Sequence, residues 1–288
     1  MRNIKSLLTV IFSVCAAMVL ILGCDKIVHP ALGSYPKDAG SPTGPLNFYA
    51  AFDGILADSI RATFPSVDSA TSYTAGIAGK AVQFNPVLAP GGGASTSYSY
   101  IVYPNPNNFG TTASFSANFW INCPLANKDN NHADGLLSWA STSNFWGEMT
   151  WYVDNTDGGA SDSMDLKVHF ANGNGDNWDY ANYVHANRWP HMYDGNWHMV
   201  TFTYDASAQI GTMYRDGVQF DQKPNETISF DGNGSNLIVG GYEEANNIQG
   251  NYSGNTWMGG FTGAVDHIRL YSSVLAASDV AALYANKQ

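Results

Sequence analysis

Apolar and polar side chains alternate over short runs along most of this chain. In Gly195 to Asp205, Val200, Phe202 and Tyr204 fall on one face and Met199, Thr201 and Thr203 on the other, the period of two of a half-buried strand. Asp216-Gly217 follows between strand-like flanks and predicts the turn of a hairpin. Gly263 to Tyr271 alternates again, with Ala264, Asp266, Ile268 and Leu270 in one phase and Val265, His267, Arg269 and Tyr271 in the other. Upstream, Leu46, Phe48, Ala50 and Phe52 alternate before Asp53-Gly54, as do Phe115, Ala117, Phe119, Ile121 and Cys123. Further short runs at Gly79 to Phe84, Tyr98 to Tyr103, Leu136 to Trp139, Met149 to Val153 and Leu166 to Phe170 are bounded by turn residues. The only helix-like segment is short, Ser278 to Tyr284. The pattern predicts an all-β class without a fixed-period repeat.

The first residues follow a different pattern. Arg2 and Lys5 precede an uncharged run from Ser6 to Cys24, rich in Leu, Ile, Val and Ala, which is the layout of an export signal and is long enough to span a bilayer. Its ending, Leu20-Ile21-Leu22-Gly23-Cys24, resembles a bacterial lipobox. That resemblance implies a signal peptide over residues 1–23, lipidation of Cys24, and a lipid anchor in the cell envelope, at the outer membrane or surface of a bacterium. An uncleaved anchor helix is the alternative. Residues 24–45, rich in Pro, Gly and Ser, read as a flexible tether, and 46–288 as one domain. Cys123 is then the lone cysteine of the mature domain, expected as a buried small hydrophobe without a disulfide.

The order of the runs Gly195 to Asp205, Tyr214 to Gly217 and Phe261 to Tyr271, with the helix-like ending and with Gly79 to Phe84 further forward, resembles the laminin-G-like domains of the concanavalin A-like lectin and glucanase superfamily. The likeness covers about Leu46 to Asn286. It implies a jelly-roll β-sandwich of two antiparallel sheets. It also implies a structural calcium ion held by Asp266 of the C-terminal strand with Asp53 and Asp58 of the N-terminal segment, since calcium takes six to eight oxygens. The glutamate that the family has after this aspartate is His267 here, which removes one possible ligand. By phase, Asp266 is expected to point inward, where a carboxylate needs a partner or a metal. The alternative is a turn at Asp53-Gly54 and a bond from Asp266 to an arginine or a backbone N–H.

Composition narrows the function. The formal charge is −11, and removing Arg2 and Lys5 takes it two units lower, to about −13. Such a surface repels phosphate backbones, so nucleic acid is not an expected partner. With 8 Trp and 16 Tyr the chain has more amphipathic aromatics than a core needs. Many lie between Trp139 and Tyr193, among asparagines. Aromatic faces cover the C–H faces of sugars and amides bind their hydroxyls, so this mixture suits a glycan groove. Trp139 and Trp151 are in phase with their strands and are expected in the core. Trp146, Trp178, Tyr180 and Trp189 sit beside turn signals and are the candidate ligand contacts.

Catalytic patterns are sparse. Glycosidases need two carboxylates facing each other across the scissile bond, and no glutamate here has an aspartate two residues on. A polysaccharide lyase working through a Tyr/His pair stays open, because such a pair need not be near in sequence. The histidines lack zinc spacing, and no nucleophile elbow, phosphate loop or dinucleotide fingerprint occurs. The reading is a cell-surface lipoprotein that binds carbohydrate without changing it. The alternatives are a protein-binding adhesion or envelope-assembly module, and a lyase or atypical glycosidase.

Overall fold

The computed structural model describes residues 46–287 except 86–98, 108, 130–132, 145, 155–161, 172–176, 181–187 and 242–257, and for 177–180 and 258 the backbone alone. The first strands are β1 (Leu46–Ala50), β2 (Val67–Ser69), β3 (Ser72–Ala75), β4 (Lys80–Phe84), β5 (Tyr100–Tyr103), β6 (Phe115–Pro124), β7 (Ala133–Ser141) and β8 (Met149–Asp154). There follow β9 (Leu166–Ala171), β10 (Asn177–Tyr180), β11 (Asp194–Asp205), β12 (Ile210–Arg215), β13 (Val218–Pro224), β14 (Gly234–Val239), β15 (Met258–Gly260), β16 (Gly263–Tyr271) and the helix α1 (Ala277–Ala285). One sheet runs β13-β12-β11-β6-β16-β4-β3, with β1 also on β16. The other runs β10-β9-β8-β7-β14-β5-β2, with β15 parallel to the start of β7 and every other pairing antiparallel. This is the all-β sandwich that the alternation predicts.

The two sheets bury the faces that the period of two assigns to them. Phe115, Ala117, Phe119, Ile121 and Cys123 of β6 and Val200, Phe202 and Tyr204 of β11 meet Trp151, Val168 and Phe170 from the opposite sheet. The rings of Phe119 and Trp151 meet edge to face at 5.0 Å. Burying each side chain of this size contributes roughly 1.5–3 kcal/mol. Cys123 is buried and its thiol lies 3.3 Å from the Thr262 carbonyl oxygen. The helix α1 covers the outer face of the first sheet, packing Val280 and Leu283 on Trp120, Met199 and Tyr214.

Two strands of the core depart from simple alternation: β7, where Leu136 and Leu137 both join the core, and β16. The β16–β6 register slips between Asp266 and Arg269, and His267 takes φ of 49°. This bulge adds a residue to β16, so Val265, Ile268 and Leu270 all face the core. Asp266 is therefore buried on the outer side of the sheet, opposite Trp120, and not in phase with Ile268 and Leu270.

Candidate functional site: a cleft at one end of the sandwich

The connections β5–β6, β7–β8 and β13–β14 meet at the same end of the sandwich, as the pairings of Leu237 with Tyr103 and of Gly234 with Ser141 require. Between residues 105–107 and 109–111 on one side and 230–234 on the other lies a cleft of about 350 Å³ with Trp139 and Phe109 at its base. Trp139 is 8% exposed, because Phe230 packs against its ring at 4.9 Å and Phe109 at 5.5 Å. Glycines let both walls close on the indole. A Cβ on Gly110 would come within 2.7 Å of ring atoms, and one on Gly234 within 2.3 Å.

Each wall is braced from behind by a buried carboxyl. Asp58 accepts the N–H groups of Tyr49 and Ile60 on Oδ1, and its Oδ2 accepts the Asn107 amide at 2.6 Å. Asn107 also donates to the Asn47 carbonyl, and its own N–H is held by Asn105 Oδ1 at 2.8 Å. On the other side, Glu148 takes the N–H of Asp231 on Oε2 at 2.8 Å and that of Asn233 on Oε1 at 2.9 Å. Burial, followed by the neighbouring Asp231 carboxyl, pushes the Glu148 carboxyl up to about 8. For Asp231, burial works the other way, but its bonds with Glu148, Asn233 and Ser143 outweigh it and hold it below the usual carboxylate range.

A second cluster lies on β8 and β9. The Tyr152 hydroxyl is 2.8 Å from His169 Nε2, and the Trp146 ring stacks on the imidazole at 4.3 Å. Beside them Lys167 pairs with Asp154 at 2.9 Å and Asp165 at 3.6 Å. Burial, then Lys167, takes His169 down to about 4, so its ring is neutral near pH 7. A Tyr/His pair therefore exists, with Tyr152 3% exposed and His169 7%.

The expected ligand contacts separate. Trp146 is half-buried with one face on His169. Trp178 and Tyr180 have backbones in β10, paired with Phe170 and Val168 of β9, and their side chains lie outside the described residues. The expectation for Trp189 is corrected: it is 1% exposed, bridges to Met164, and stacks on Phe220 at 4.4 Å. The turn signals around it mark a tight bridge whose indole points into the core. Trp139, expected in the core, is there and also forms the base of the cleft.

The three aspartates expected as calcium ligands are placed as follows. Asp53 Oδ1 accepts the Lys80 N–H at 2.8 Å, and Asp266 Oδ2 accepts the Ile77 N–H at 2.9 Å, so both brace the β3–β4 turn. Asp266 Oδ1 also lies 2.9 Å from His267 Nδ1. Asp58 is turned to the cleft wall instead. Among the described residues no three acidic, histidine or cysteine side chains come together as a metal-holding group, while Asp53 lies near enough to Asp266 to act on its carboxyl. What the sequence reading missed is the cleft. Its signal was Phe230 running into Asp231-Gly232-Asn233-Gly234, an aromatic entering a tight turn, with Phe109-Gly110 opposite.

No curated protein matches the chain. Solved structures do, at identities that speak for the fold alone. The binding domain of Paraclostridial Mosquitocidal Protein 1 is 16% identical with a TM-score of 0.56, over 83% of this chain and 52% of that one. Domain 4 of AbnA, a GH43 extracellular arabinanase from Geobacillus stearothermophilus solved with arabinotriose, is 19% identical with a TM-score of 0.53, over 83% of this chain and 98% of that domain. The receptor binding domain of botulinum neurotoxin D is 12% identical with a TM-score of 0.56, over 84% and 53%. The chain thus spans about half the length of the two toxin domains. Residues 95–281 match the laminin-G type family described as the concanavalin A-like lectin/glucanases superfamily. With the sandwich, its strand order and that match in agreement, the chain belongs to the concanavalin A-like lectin/glucanases superfamily.

Proposed function

We propose that the domain binds carbohydrate without changing it, and that it does so at the envelope, tethered through lipidated Cys24. The observation that carries the binding reading is the cleft over Trp139, which combines aromatic walls with exposed amide, hydroxyl and glycine backbone groups. This is the mixture that sugar rings need, and the volume lies within the range of small-ligand sites. Similar folds include a domain solved with arabinotriose and the binding domains of toxins. The acids nearest the cleft favour binding over hydrolysis, since Glu148 and Asp231 are bonded to each other's groups and do not oppose each other across a gap.

A protein-binding reading draws on a different region. Phe64 is 60% exposed, Tyr73 43% and Val67 38%, beside the edge strands β2 and β3. A glycan array probed with the full-length chain separates the two. Binding that Phe230→Ala weakens by at least about 1 kcal/mol, the threshold of an energetically important contact, supports the carbohydrate reading. No binding on the array favours a protein partner, whereas binding indifferent to Phe230→Ala but lost with Phe64→Ser would put a glycan on the β2–β3 side instead of in the cleft.

A further inference from the structure

Resting on the carbohydrate reading, we infer that the cleft takes one or two rings of a neutral glycan and rejects acidic sugars. Size gives the first half. A volume of 350 Å³ lies near the lower end for ligand sites and suits about one or two sugar rings. Trp139 and Phe109 close it below, and residues 105–107, 109–111 and 230–234 flank it on two sides, so it is a short trough for one or two rings and not a long track.

Charge gives the second half. Among the described residues no lysine, arginine or histidine lines the cleft. The charged-type side chains beside it are acidic on both walls: Asp58 bonds the lining Asn107, and Asp231 follows Phe230 and precedes Gly232, with Glu148 behind it. A uronate or sialate entering here would lose water against a negative wall and gain no cation, which is unfavourable. A neutral ring meets better partners. The exposed Asn105 keeps its carbonyl on the Asn107 N–H, and among the described residues its amide group donates to no protein acceptor, so the amide is available to sugar hydroxyls. The partly exposed Phe230 offers the apolar surface that a C–H face covers. The walls are preorganised, because Asp58 and Glu148 fix them before any ligand arrives, which lowers the entropic cost of binding.

The test is titration calorimetry of the full-length chain with neutral arabino-, xylo-, gluco- and manno-oligosaccharides of increasing length, alongside oligogalacturonates and sialyl-lactose. The expected result is binding by a neutral series that reaches its full affinity by about two rings. Asn105→Asp keeps the acceptor for the Asn107 N–H but removes the amide donors and adds charge. It should weaken that binding about tenfold or more with an unchanged melting curve. Phe230→Ala should weaken it too, and Asn105→Asp guards against the case where Phe230→Ala only loosens the fold. Affinity that keeps climbing with chain length, a preference for the acidic sugars, or neutral binding indifferent to Asn105→Asp overturns this inference and leaves the carbohydrate reading standing. Silence across both panels overturns the two together.

Discussion

Glu148 is a fully buried carboxyl whose two oxygens accept backbone N–H groups from one short wall of the cleft, beside a second carboxylate. Its proton is held up to about 8, first by burial and then by Asp231. A group raised in the folded state binds its proton more tightly there than in the unfolded chain. Its contribution is fully present below the usual glutamate range and is lost as pH rises through about 8. Melting temperature should therefore fall between pH 5 and 9, and Glu148→Gln should flatten that fall in differential scanning calorimetry. A wild-type slope retained in the variant would assign the titration elsewhere. His169 acts at the other side of neutrality. Its ring is depressed to about 4 by burial and then by Lys167, so the stability tied to its neutral form is present above the usual histidine value and lost as pH falls towards 4. His198 has the opposite sign to His169. Burial disfavours its charged ring, but Asp216 at 2.9 Å and Asp194 at 3.1 Å outweigh this and raise it, so its contribution is present at low pH and lost above its folded value.

At the scale of elements, glycines decide how closely loops approach the sheets. Gly240, just after β14, has φ of 78°, and a Cβ there would come within 2.2 Å of the buried Phe84 ring. Gly232 has φ of 82°, but a Cβ at that position would meet nothing within 4 Å. Gly232→Ala should thus cost about 1–2 kcal/mol for left-handed backbone alone. Gly240→Ala carries that cost and an overpacking term of roughly 1–3 kcal/mol besides. Urea unfolding of the two variants measures the difference, and equal losses would mean that Phe84 moves aside freely. The same scale explains what the sequence made legible. Strands β6 and β11 were readable because Phe115 to Cys123 and Val200 to Tyr204 alternate without interruption and both pack on the core. The bulge in β16 was not, since a left-handed His267 leaves no mark in a run of alternating residues, and it moved Asp266 to the outer face. The short strands β2, β3, β10 and β15 carry too few residues for a period to emerge. The cleft escaped for a related reason: its walls belong to two connections far apart in sequence, over a tryptophan of β7, and only the strand order brings them together.

For the whole molecule, the aromatic excess divides into two populations with different consequences. Trp151 and Trp189 are part of the packed interior, whereas Phe230 and Trp146 are only partly buried, at the end where the β7–β8 and β13–β14 connections gather. Trp189 links the Met164 bridge to Phe220, so it couples a β9 approach to β13 across the sandwich. Trp189→Ala should cost about 3–5 kcal/mol, the range for removing a buried large aromatic, and lower the melting temperature by several degrees. Trp146→Ala leaves the core untouched and should cost less, its main loss being the stack on His169. The proposed lipid anchor would add a further consequence, because a glycan site on a tethered domain works at the high local concentration of a surface. Weak single-site affinity then suffices for retention on a polysaccharide, provided that many copies are anchored. Metabolic labelling with a fatty-acid analogue checks the premise: label should enter the wild-type chain and not Cys24→Ser. Cells carrying the labelled protein should hold a neutral polysaccharide far more firmly than the same chain released from the membrane, and Asn105→Asp should abolish the gain. Equal retention by anchored and released protein would mean that the domain engages its ligand one copy at a time.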